Sequence, residues 1–116
     1  MKKFFAVYLG SPSGLDAWRK MDDAMRKQKE SVGVQAWKDW MAKHEKSLVD
    51  GGCPLGRTKR ISEAGIADTR NNLTGYAIVE AESHDAAAKL FQNHPHFTHF
   101  PGDAVEIMEC LPIPGM

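Results

Sequence analysis

Histidine is the side chain whose ordinary pKa lies nearest neutral pH, so the five histidines are the first candidates for chemistry. His44 follows Val34, Trp37 and Met41 and precedes Leu48 at spacings of three and four. That pattern places it on the apolar, sheet-facing stripe of a helix. Two readings of it stand side by side. It is a buried neutral imidazole held by a backbone carbonyl or a carboxylate, or it is a base in a pocket between helix and sheet, where low dielectric shifts its pKa. Trp37 and Trp40 beside it read as core and helix-flank residues that can also wall such a pocket.

A second group is the run His94-Pro95-His96-Phe97-Thr98-His99. Imidazole suits zinc, copper or nickel, which makes His94, His96 and His99 metal candidates. Their spacing fits poorly, because His94 and His96 flank a proline and do not share a helical face. Only Asp103 is at hand to complete a ligand set. A structural turn explains the run as well, with His94 as a cation at the negative end of a helix. No metal and no other cofactor is expected.

The third group is carboxylates on strands. Glu80 shares a strand face with Tyr76 and Ile78, and Glu106 points opposite to Glu109. On an exposed edge these are ordinary solvated groups. Facing a closed barrel, one of them is desolvated and fit for general acid–base work. Glu106 is the candidate partner of His44, and Tyr76 and Glu80 are candidate pocket residues. Cys53 is either a nucleophile near His44 or an incidental thiol. There is no phosphate-cradling loop, since Gly51-Gly52 runs into Cys-Pro, and there is no G-x-S-x-G elbow.

These residues sit on a chain of 116, the size of one domain with a modest core. Lysine plus arginine and aspartate plus glutamate each total 15, so formal charge cancels. The cluster Arg57, Lys59 and Arg60 reads as a solvated loop or edge, not a nucleic-acid or anionic-membrane surface. The opening MKKFFAVYLG mimics a signal peptide but has no small-x-small cleavage pattern, and a buried strand explains it better. No apolar run approaches a membrane span. Cys53 and Cys110 form no C-x-x-C pattern, and a reducing cytoplasm is the expected setting.

Residues 3–9 are apolar on both faces, as in a strand covered on both sides. Ser13 and Asp16 resemble a capping box for a helix carrying Leu15, Trp18, Met21 and Met25. Gly33 is expected to interrupt or kink it before the His44 stretch, with Gly51-Gly52 as the stop. The pattern does not decide between one bent helix and two over residues 15–49. A weak strand is expected over 54–61 and turn chemistry at Asn71-Asn72. A strand from Gly75 to Glu82, a short helix capped by Ser83 and ended near Pro95, and a strand from Ala104 to Leu111 complete the chain.

The order is β-α-β-β-α-β, the split βαβ arrangement of a ferredoxin-like α+β domain with an antiparallel sheet. Both helices cover one sheet face, and a second subunit is the simplest cover for the other. A homodimer is therefore expected.

With these elements placed, four segments resemble the YCII-related family: KFFAVYLG, WKDWMAKHEKSLVDGGCPLG, GYAIVEAESHDAAAKLFQNHPHF and AVEIMECLPIPGM. The resemblance spans most of residues 1–116 as a single domain and implies a dimeric α/β barrel built from ferredoxin-like subunits. The Asp-Gly-Pro-Phe segment of one branch is missing, with Arg70-Asn71-Asn72-Leu73 in its region. Some members resemble enzymes that use a histidine–aspartate pair, and the place of that histidine falls at Trp40. The dyad is thus not carried over. Three functions follow as expectations: a small-molecule-binding or accessory dimer, a cofactor-free lyase or isomerase using His44 and a strand carboxylate, or metal binding at the histidine turn.

Overall fold

The computed structural model describes residues 1–116. The apolar opening forms β1 (Lys2–Gly10), followed by α1 (Pro12–Arg19), α2 (Asp23–Lys43), a 3-10 turn (Glu45–Ser47) and β2 (Leu48–Asp50). Then come β3 (Thr58–Ser62), β4 (Gly65–Thr69), β5 (Leu73–Ala81), α3 (His84–Lys89), α4 (Pro95–Thr98) and β6 (Gly102–Glu109). The main sheet has the order β2-β5-β1-β6 and pairs antiparallel throughout. This is the α+β, ferredoxin-like order, with β1 central.

Strand alternation divides the sheet cleanly. Phe4, Ala6 and Tyr8 of β1 join Ala77, Val79 and Ala81 of β5 in the core, against Trp40 of α2 and Ala87 and Phe91 at α3. Phe4 and Val79 are fully buried, each contributing about 1.5–3 kcal/mol of transfer free energy. The other face presents Phe5, Ile78, Tyr76 and Met108, with Phe5 36% and Met108 45% exposed. Phe5 stacks on Tyr76 there, ring centroids 5.7 Å apart.

Four local expectations are corrected. The break in the helical region, expected at Gly33, falls at Lys20–Asp22, where Asp22 caps α2 by accepting the Met25 N–H, and of the two alternatives left open the region is two helices. Gly33 lies inside an unbroken α2 and is buried, because the ring of Phe100 occupies the space of its missing side chain. The cap of α1 is Ser11, which accepts the Gly14 N–H, and Pro12 takes the first helical position.

The fourth correction concerns the second sheet strand. It lies at Leu48–Asp50, where a helix end was expected, because Leu48 turns into the core beside Val79. The stop comes earlier, at His44. Gly52 follows β2 at φ +71°, a conformation that favours glycine, and a β-carbon there would collide with the Tyr76 carbonyl. Residues 58–69 form a separate two-stranded hairpin, including the stretch expected to be loop. Its charged sequence concealed the strands. Ile61 pairs with Ile66 near its end, both more than two-thirds exposed, and an exposed Lys59–Asp68 ion pair of 2.7 Å adds at most about 1 kcal/mol.

Candidate functional site

A cavity of about 540 Å³ opens between α1, α2 and the helix-bearing face of the sheet. Trp18, Trp37 and Phe100 wall it, and Tyr8, His96, Glu30 and Lys38 stand among its lining residues, the last two with opposite charges. Trp18 and Phe100 pack with centroids 5.9 Å apart, and Phe100 meets Trp37 edge-on at 5.8 Å. Helical spacing alone sets Val34, Trp37 and Met41 along this wall.

The polar part comes from the histidine turn. Pro95 opens the short α4 and holds His94 and His96 inward, both buried. The His94 ring sits in an aromatic box, 4.4 Å from Trp37 and from Trp40, 5.1 Å from Tyr8 and 5.8 Å from Phe91 by centroid. Its Nδ1 accepts the His96 backbone N–H at 2.9 Å, and its Nε2 lies 3.3 Å from the Tyr8 hydroxyl. Burial, with smaller contributions from His96 and His44, pushes the His94 imidazole down to about 3, so it is neutral at pH 7. Burial also lowers His96, against the opposing pull of the Leu9 and Ala104 carbonyls and Asp103. Tyr8 is raised by burial and stays a phenol.

His96 Nε2 bridges the Leu9 carbonyl at 2.8 Å and the Ala104 carbonyl at 3.1 Å. These carbonyls belong to β1 and β6, so the histidine locks the turn across the two strands. Gly102 makes room for it, since a β-carbon there would strike the His96 carbonyl and ring. The arrangement can hold a small flat molecule and exchange hydrogen bonds with it at one end.

The residues singled out from sequence scatter over this frame. Trp37 lines the cavity. Trp40 is buried below it, and its indole N–H donates to the Leu90 carbonyl at 2.9 Å. His44 is the C-cap of α2, half-buried, tilted against Trp40 at 5.1 Å and outside the cavity lining. Burial and then Lys43 lower its pKa. Glu106 and Glu80 lie on the opposite sheet face, in register with Val7 and Lys3. His44 and Glu106 are therefore not brought together. Glu109 shares the helix-bearing face and pairs with Lys2 at 3.7 Å. Tyr76 reaches the cavity rim, with its ring on the open face, where Asp50 first and Cys53 second raise its phenol pKa.

The histidine turn does not assemble a metal centre. Both ring nitrogens of His94 are engaged, His99 Nδ1 meets the Thr98 hydroxyl at 2.7 Å, and no group of three His, Cys, Asp or Glu side chains is arranged for an ion. Sequence reasoning passed over Tyr8, Trp18 and Phe100. Tyr8 was detectable, because it shares a strand face with Phe4 and Ala6 and brings a hydroxyl into that buried apolar cluster.

Fold and site together define an α+β protein with a ferredoxin-like sheet and an aromatic cavity between helices and sheet. No protein-family model matches the chain, and no curated protein matches it. Among solved structures it is similar to 5-chloro-2-hydroxyhydroquinone dehydrochlorinase (TftG) from Burkholderia phenoliruptrix AC1100, in complex with 2,5-dihydroxybenzoquinone. The TM-score is 0.52 at 16% identity, covering 91% of this chain and 90% of that one. At that identity the likeness establishes the fold.

Proposed function

We propose that this chain is a YCII-related protein of the branch without the Asp-Gly-Pro-Phe segment, and that it binds a small, flat, mostly apolar molecule in the cavity. The observation that carries the reading is the pairing of three aromatic walls with two neutral polar groups, Tyr8 and His96, in about 540 Å³. That space suits a single-ring or two-ring compound. TftG holds a single-ring molecule of this size, 2,5-dihydroxybenzoquinone, which is ionised at neutral pH, unlike the ligand proposed here. The active form is a homodimer in which a second copy covers Phe5, Ile78, Tyr76 and Met108, the apolar side chains on the helix-free face.

Isothermal titration with the neutral 2,5-dimethoxy-1,4-benzoquinone tests the binding. Saturable binding to the native protein is expected, weakened by about tenfold in Trp37→Leu, a loss of about 1.4 kcal/mol. Absence of saturable binding to this quinone and to unfunctionalised two-ring probes alike sinks the proposal.

A second reading, a cofactor-free lyase or isomerase, is favoured by one feature. His96 is a neutral imidazole with one ring nitrogen unused inside the chain, beside a phenol. In that reading His96 is the base and Tyr8 the acid, in place of His44 and Glu106. Turnover abolished in Tyr8→Phe, with ligand still bound, is the result that separates an enzyme from a binding protein.

A further inference from the structure

We infer that the cavity selects a neutral ligand carrying a carbonyl beside a hydroxyl, because the hydrogens of the site are distributed so that Tyr8 gives a hydrogen bond and His96 receives one. This rests on the reading of the cavity as a binding site and adds the chemistry that the ligand must present.

The distribution follows from contacts within the chain. The His96 N–H occupies His94 Nδ1, so that nitrogen bears no hydrogen, and the neutral ring carries its hydrogen on Nε2. That Nε2–H donates to the Tyr8 oxygen at 3.3 Å. The phenolic hydrogen of Tyr8 then has no acceptor in the chain, although the residue is 2% exposed. A buried donor without a partner is unfavourable, and a ligand carbonyl in the cavity supplies the partner.

His96 has the complementary polarity. Its Nε2 serves two carbonyl oxygens, which only an N–H can do, so Nδ1 holds the lone pair. Nδ1 has no partner in the chain, and no partnerless side-chain nitrogen or oxygen is sealed off from solvent. It is therefore reachable, and His96 lines the cavity. The Tyr8 and His96 rings lie 5.2 Å apart by centroid, so one ligand edge can meet both. Glu30 and Lys38 offset each other at the lining, which leaves no net charge to select an ion.

The test compares three neutral two-ring probes of nearly equal size by isothermal titration: 2-hydroxy-1-indanone, 1-indanone and indane. The expected order is hydroxyindanone tightest and indane weakest, each step about tenfold. Tyr8→Phe should erase the preference for indanone over indane. Nitrogen-15 shifts of the native protein should show the Nε2–H tautomer in both His94 and His96, a readout that needs no variant to fold. Equal affinity for all three probes overturns the inference and leaves the cavity as a binding site. An Nδ1–H tautomer at either histidine, or a Tyr8→Phe variant that keeps the indanone preference, also overturns it. Failure of every probe to bind overturns the underlying reading as well.

Discussion

Phe100 rests against the α-carbon of Gly33, so close that a β-carbon on Gly33 would stand 2.6 Å from Cε2 and Cζ of the ring. A residue that reads as a helix breaker is thus the seat of an aromatic side chain. Because Phe100 also walls the cavity, the contact ties the middle of α2 to the volume of the site.

Gly33→Ala follows directly. Alanine gains up to about 1 kcal/mol of helix propensity, while the methyl displaces the far end of the Phe100 ring. The ring has the cavity to move into. Urea unfolding should change by less than about 1 kcal/mol, and affinity for a two-ring ligand should fall several-fold. Unchanged affinity would show that Phe100 does not shape the ligand space.

Acid should destabilise the protein through His94. Its pKa when folded, about 3, lies below its ordinary 6.5, so the unfolded chain takes up the proton first. The stability it contributes is complete above pH 6.5 and is lost progressively as pH falls toward 3. His96, also lowered, acts in the same sense. The urea midpoint measured from pH 7 to pH 4 should fall with acid, and His94→Gln should flatten that slope while keeping the part due to carboxylates.

Trp40 and Trp37 should separate by readout. Trp40→Phe removes the indole N–H from the Leu90 carbonyl and leaves a gap in the core, at a cost of about 1–3 kcal/mol. Ligand affinity should hold, since Trp40 does not line the cavity. Equal loss of affinity in Trp40→Phe and Trp37→Leu would contradict the placement of the two indoles.

His44→Ala should be mild. The ring makes no hydrogen bond and caps the helix only through its backbone, so a cost below about 1 kcal/mol and unaltered binding are expected. A large loss of binding or turnover would restore His44 as a working residue.

The open sheet face gives the last prediction. Phe5→Glu places a carboxylate in the proposed contact between copies. Sedimentation equilibrium should show a dimer for the native chain and a monomer for the variant. A native monomer at micromolar concentration removes the homodimer.

Much of the frame was legible in the sequence, because alternation in β1, β5 and β6 leaves little freedom about which residues face the core. The β-α-β-β-α-β order follows from that and from the helical spacing of Trp37 and Met41. What escaped depended on contacts between distant segments. Gly33 looks like a break unless Phe100 is known to sit on it. Leu48 continues a helical spacing, yet it pairs with Val79 in a strand, a partner 31 positions away that no local pattern reveals. The site was displaced for the same reason. His44 has the right periodicity but lies one residue beyond the helix, whereas Pro95 and the strand carbonyls of Leu9 and Ala104 draw His96 inward.

The β3–β4 hairpin is spliced between two strands, β2 and β5, that are themselves neighbours in the sheet. Its ladder is closed on itself, so the sheet would keep its order and register if the hairpin from Thr58 to Thr69 were shortened or extended by further paired residues. That makes the segment the fold's point of growth, where length can drift through evolution or be exploited to graft a peptide without disturbing the aromatic chamber.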